Sequence, residues 1–187
     1  MDAVLENLIK LTGVVPRDFD TLNEVAPQIE VWEPAIVKIF YDTLYSHSAT
    51  NAIFKSDERP DREATFSNWY RQLIHAKYDP MFWKHQWFVG LVHIKREVRN
   101  HMMLGMISRV QTFFLAQCMN EFQGVQALKV YGAFKRITDV IAGLIAEGYF
   151  EKYLEAMEKM SGIKTKVVER MVKMEIDTMI KEFRANS

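Results

Sequence analysis

Residues 79–98 read DPMFWKHQWFVGLVHIKREV, and this stretch decides how the chain folds. Asp79-Pro80 is an N-cap followed by a proline at the first helical position, where its missing N–H is not needed and its φ is already helical. From there apolar residues recur at three and four rather than at two, which predicts a helix. At 100° per residue His93 shares a face with Phe82, Gln86, Val89, Gly90 and Glu97, while Trp87, Leu91, Ile94 and Val98 form a neighbouring face of core character. An imidazole in so apolar a segment needs a partner, because an unpaired buried polar group costs about 1–3 kcal/mol. Two readings stand at this point: a core histidine bonded to a nearby carbonyl, or a ligand. Gly90, bare of a side chain one turn before His93, admits either a crossing helix or a flat ligand close to the backbone.

The same three-four periodicity runs outward in both directions. A short helix over Val4 to Leu11 ends near Gly13, and Pro16 opens a second that extends to about Ile29. Trp32, Ile36, Val37, Phe40, Tyr41 and Leu44 stripe a third, which stops in Ser46-His47-Ser48. After an irregular piece at Asn51 to Phe54, the helix from Pro60 places Arg62, Phe66, Trp69 and Leu73 on one face with Thr65 beside them. Beyond Val98 come two long helices, about 100–122 and 125–160, with Gly124 between them and Gly162 as a C-terminal cap. A last helix carries Val168, Val172, Ile176, Met179 and Phe183 at spacings of 4, 4, 3 and 4, a narrow seam expected to pack on something. The fold class is all-α.

Composition excludes several functions. Lys plus Arg and Asp plus Glu are both 24, and the signs are interspersed, which lacks the footprint of a nucleic-acid or anionic-membrane binder. Asp139, Glu147 and Glu151 interrupt the most hydrophobic region, so no membrane helix is expected. Cys118 is the lone cysteine, which rules out an internal disulfide and a cysteine-based metal cluster and suits a cytoplasmic setting. No histidine stands at i, i+4 from another histidine or a cysteine, and no Gly-x-Ser-x-Gly or phosphate loop occurs. Tyr41, on the apolar side of its helix with Val37 and Leu44, is either an ordinary buried tyrosine or a directed donor.

Four segments in order resemble the globin domain of the globin-coupled sensor and protoglobin group, over about residues 11–158. They are Leu11-Thr12-Gly13 with Asp18-Phe19 and Leu22; Val37-x-x-Phe40-Tyr41-x-x-Leu44; Tyr78-Asp79-Pro80-x-Phe82-Trp83; and Val89-Gly90-Leu91-Val92-His93. After the histidine many members carry a proline and then Trp-Tyr-x-Gly-Ala, whereas Arg99 to Met106 here keep only the glycine, so relay of a signal by the family's route is in question. The resemblance implies a globin fold of the 3-over-3-like sensor variant with an extra N-terminal and an extra C-terminal helix. It divides the chain into a haem-binding globin domain at 1–160 and a helical extension at 161–187 without an output domain.

The same resemblance makes His93 the proximal iron ligand of haem b, held non-covalently because Cys-x-x-Cys-His is absent. The other ring N–H would bond the Val89 carbonyl. Phe40, Tyr41, Phe54, Arg62, Thr65, Phe66 and Trp69 would shape the opposite side, with Phe82, Val89 and Gly90 on the histidine's own helix. A Tyr41 hydroxyl directed at polarised O2 would stabilise it by about 1.5–3 kcal/mol, with Thr65 sharing or taking that task and His75 too far along its helix to serve as a distal ligand. The expected function is reversible binding of O2, CO or NO as a gas sensor or oxygen-binding protein. Such a protein would signal through a separate partner and form a homodimer through the two long helices. A haem enzyme, as nitric oxide dioxygenase or peroxidase, and a haem-free interaction module remain the alternatives.

Overall fold

The pattern of breakers maps directly onto the helix ends. In the computed structural model, which describes residues 1–55 and 57–185, Gly13 and Gly162 take φ of 71° and 74°, and each ends a helix in the left-handed conformation that side chains resist. The elements are α1 (Asp2–Thr12), α2 (Pro16–Glu24), α3 (Ala26–Glu30), α4 (Glu33–Ser46), α5 (Ser48–Asn51), α6 (Arg59–Ile74), α7 (Pro80–Lys95), α8 (Asn100–Glu121), α9 (Val125–Ser161) and α10 (Thr165–Ala185). No strand occurs among the described residues. The Asp79 side chain accepts from the Met81 N–H at 3.0 Å, so the expected N-cap of α7 is formed.

One expected helix is broken. The segment from Pro16 stops at Glu24 and restarts at Ala26, because Pro27 has no N–H to continue the ladder and its ring would collide with the Asn23 carbonyl. Asn23 instead turns its amide to the carbonyls of Phe19 and Ala76, at 2.7 and 2.8 Å. That second bond fixes the end of α6 to α2.

Two compact units divide the chain, Met1–Tyr149 and Phe150–Ser187, with α9 running from the first into the second. The core of the first unit is built on Phe114 of α8 and Phe134 of α9, whose fully buried rings stack with centroids 3.7 Å apart. Trp32 meets Phe114 edge-on at 5.2 Å. A half-buried ion pair braces this core: the buried Asp18 takes the Val15 N–H at 3.0 Å to cap α2 and also receives the Arg136 guanidinium of α9. Val37, Tyr41, Leu44 and Met106 form a second, smaller cluster, flanked by Phe40, Tyr45, Phe54 and Phe66.

In the second unit, Glu158 accepts from the N–H and hydroxyl of Thr165 at 2.8 and 2.7 Å, placing a carboxylate at the first turn of α10. These bonds, the hydroxyl's first, hold the Glu158 carboxyl down at about 2. The seam of α10 is largely open to solvent in the single chain. Val168 is half-buried, but Val172, Ile176, Met179 and Phe183 are exposed.

Candidate functional site

His93 stands in the last turn of α7, and the way that helix ends fixes its position. Val98 N–H bonds the His93 carbonyl at 3.0 Å and Glu97 N–H the Ile94 carbonyl at 3.1 Å, while Glu97 takes φ of 59°. This is a Schellman closure with a non-glycine residue in the left-handed position. The imidazole is half-buried, and burial lowers its pKa below the ordinary value, so the ring is neutral. Its Nδ1 is buried with no hydrogen-bond partner. The expected bond to the Val89 carbonyl is therefore not made. Val89 itself lies half-buried at the edge of the main core.

Tyr41 is nearly fully buried, and its hydroxyl donates to the Arg62 carbonyl of α6 at 2.7 Å. Burial, above all, pushes the phenol well above its ordinary pKa, so the proton stays on oxygen. Around it Phe40 stacks on Phe66 at 4.1 Å, Phe66 on Trp69 at 5.2 Å, and Phe54 meets the Tyr41 ring edge-on at 6.4 Å. Trp69 then crosses to α7, its indole N–H donating to the buried Gln86 at 3.1 Å. Five of the residues singled out in the sequence are thus brought together, with Arg62 beside them: Phe40, Tyr41, Phe54, Phe66 and Trp69.

Three others are not. Thr65 is exposed and its hydroxyl returns to the Asp61 carbonyl at 2.8 Å, away from the aromatic group. Phe82 packs at the other end of α7 against Phe19 and Trp83, at 5.6 and 4.9 Å. Gly90 turns to α9: a Cβ there would lie 3.0 Å from the Ile145 carbonyl oxygen and 3.3 Å from Tyr149 N. The helix crossing, not a flat ligand, explains its missing side chain. Gly148 does the same from the other side, where a Cβ would stand 3.3 Å from Trp87. Leu91, expected on a core face, is exposed. His75 pairs with Glu30 at 3.2 Å on the surface, and His47, His85 and His101 are exposed.

The sequence reading missed a polar bridge that closes this region. Glu58, the N-cap residue of α6, accepts from the Arg96 guanidinium at 3.0 and 3.2 Å and from the Lys55 N–H at 2.9 Å. Arg62 Nε lies 3.5 Å from the same carboxylate, too poorly aligned to bond, and is buried without a hydrogen-bond partner. Glu58 and Arg96 are 38 positions apart, so no local pattern pairs them. Tyr45, one turn after Tyr41, was also missed; its hydroxyl is buried without a partner. Its helical spacing from Tyr41 was the available signal.

Whether such a site suits haem turns on the imidazole. A buried ring nitrogen without a partner, in a ring held neutral, is the donor an iron centre uses. Among the described residues no three His, Cys, Asp or Glu side chains converge, so His93 is a lone donor rather than part of a chelating cluster. The residues fit.

An all-helical bundle with a lone histidine ending α7 and an aromatic group between α4 and α6 is a bundle of the globin class. The Protoglobin family pattern matches residues 1–155, and the chain belongs to that family. The globin domain of the Geobacter sulfurreducens globin-coupled sensor has a similar structure, with a TM-score of 0.71 and 18% identity, covering 77% of this chain and 96% of that one. At that identity the likeness speaks for the fold. Among curated proteins none matches the sequence.

Proposed function

We propose that the chain binds haem b non-covalently through His93 and uses it to bind a diatomic gas reversibly, O2 and also CO and NO, as a gas sensor or oxygen-binding protein that signals through a separate partner. The observation that carries this reading is the buried, unpaired Nδ1 of a neutral His93 in a chain of the protoglobin family. A polar group in that state costs about 1–3 kcal/mol until something bonds the ring. Haem, when held, contributes iron's affinity for diatomic gases.

The chain's own residues supply the rest. His93 offers a neutral nitrogen lone pair, and the Schellman closure after it fixes the turn that carries it. Phe40, Phe66 and Trp69 present stacked apolar faces that exclude water. Cys118 is fully buried in the main core, where burial holds its thiol up at about 12, so it is no thioether anchor. Tyr41 keeps its proton, which suits a hydrogen-bond donor. We assign binding to residues 1–160, with 161–187 as a helical extension, in a cytoplasmic homodimer that pairs α8 and α9, where Leu104, Met119 and Leu128 are exposed.

The test is to add haemin to the purified chain, reduce it, and record spectra alone, under O2 and under CO. One haem per chain with a five-coordinate ferrous spectrum and stable gas complexes is expected; no saturable binding would overturn the reading. The donor role of Tyr41 has its own test. Its proton already serves the Arg62 carbonyl, so donation to a gas exchanges one hydrogen bond for another, a net gain of about 0.5–1.5 kcal/mol. Tyr41→Phe should therefore speed O2 release roughly two- to tenfold and CO release less than about twofold, since CO accepts hydrogen bonds poorly. Equal effects on both gases in stopped-flow release would remove Tyr41 from that role.

A further inference from the structure

Charge at the start of α6 and the end of α7 is unbalanced in a specific way. Arg59 is doubly engaged, by Asp42 and Glu63 at 2.6 Å each. Arg62 and Arg96 instead share one carboxylate, that of Glu58, and the share is unequal. Arg96 holds both its oxygens within 3.2 Å, while Arg62 keeps a buried Nε–H with no acceptor. Two guanidinium groups thus face one anion.

Their places in the fold say what a second anion would belong to. Arg96 follows His93 by one turn of α7, and the Arg62 carbonyl receives the Tyr41 hydroxyl. A ring held between His93 and the Tyr41 side would be flanked by one arginine from each helix. Both side chains are partly open to solvent, 28% for Arg62 and 31% for Arg96, as befits the charged edge of an otherwise apolar ligand. Haem b carries two carboxylates, and a guanidinium matches a carboxylate with two parallel N–H donors.

Resting on the function proposed above, we infer that Arg62 and Arg96 form the subsite for the haem carboxylates and that Glu58 is a resident anion competing for it. Glu58 gathers the two arginines, and loading requires it to release at least one of them. Glu58 therefore preorganises the subsite and weakens it at once.

The experiment compares haem with its dimethyl ester, which has the same ring and iron but no carboxylate charge. Loss of each from the full chain is followed by transfer to excess scavenging apoglobin. Arg62→Gln and Arg96→Gln should each speed loss of haem roughly fivefold or more and change loss of the ester by less than about twofold. Glu58→Gln keeps the acceptor for the Lys55 N–H but frees the arginines, so it should slow loss of haem roughly threefold or more and leave the ester unchanged. That gain of retention cannot come from misfolding. Equal effects on haem and ester, or faster haem loss in Glu58→Gln, would overturn the subsite. If the wild-type chain held neither form with a His93-dependent spectrum, the parent reading would fall, and this inference with it; if it held both and the substitutions changed nothing, the subsite alone would fall.

Discussion

His93→Ala is expected to abolish stoichiometric haem binding, with the apparent affinity falling at least about 100-fold. Loss of a group that merely orients a metal ligand costs 10–100-fold, and loss of the ligand itself costs more. His93→Gly with added imidazole should restore the five-coordinate ferrous spectrum, because the small molecule supplies the missing nitrogen. A second signature separates ligand from core residue. The unpaired Nδ1 destabilises the haem-free fold, so His93→Leu should stabilise the haem-free chain by about 1 kcal/mol while eliminating binding. In thermal melts of the haem-free chains that amounts to roughly 2–4 °C for a chain of this size. A core histidine bonded to a carbonyl would give the opposite, a lower melting temperature. An unchanged ferrous spectrum in His93→Ala would place the iron ligand elsewhere.

That contrast also marks where sequence reading succeeds. Helix positions were legible because their determinants are local: Asp79-Pro80 starts α7 within three residues, and Gly13 ends α1 at one. The break at Val25 was equally local, with Pro27 in plain view, and was missed because the apolar spacing runs through it. At the site, locality fails. Gly90 reads the same whether a ligand or a helix approaches, and the answer lies 55 residues on, in the Ile145 carbonyl. Thr65 shares a helix with Phe66 yet binds its own backbone, a competition that helical threonines often enter. Glu58 and Arg96 carry no pattern at all until the fold brings them together. Helix ends set within a few residues could be read, whereas the partners of Gly90, Glu58 and Arg96, which lie on other helices, could not.

Phe134→Ala should be the most destabilising single change in the first unit. Phe134 and Phe114 are fully buried, and their rings stack within 4° of parallel, so truncation removes the transfer energy of a phenyl group and leaves a cavity that Trp32, already edge-on to Phe114, cannot fill without leaving Phe122 at 6.1 Å. Such truncations cost about 3–5 kcal/mol. For a chain of this length the melting temperature should fall by roughly 6–20 °C. Phe134→Leu, which keeps most of the volume, should cost about 1.5 kcal/mol or less. The effect should also be confined to stability. Phe114 and Phe134 belong to the main core, whereas Tyr41 and Met106 belong to the smaller cluster, so the folded Phe134→Ala chain should release O2 at a rate within about twofold of wild type. A loss of less than about 1 kcal/mol would mean that the stacked pair does not organise α8 against α9. A large change in O2 release in the folded variant would mean that the two clusters act as one. The helix linking them is α8, which carries Met106 and Phe114 eight residues apart and is the rigid element through which such coupling would have to pass.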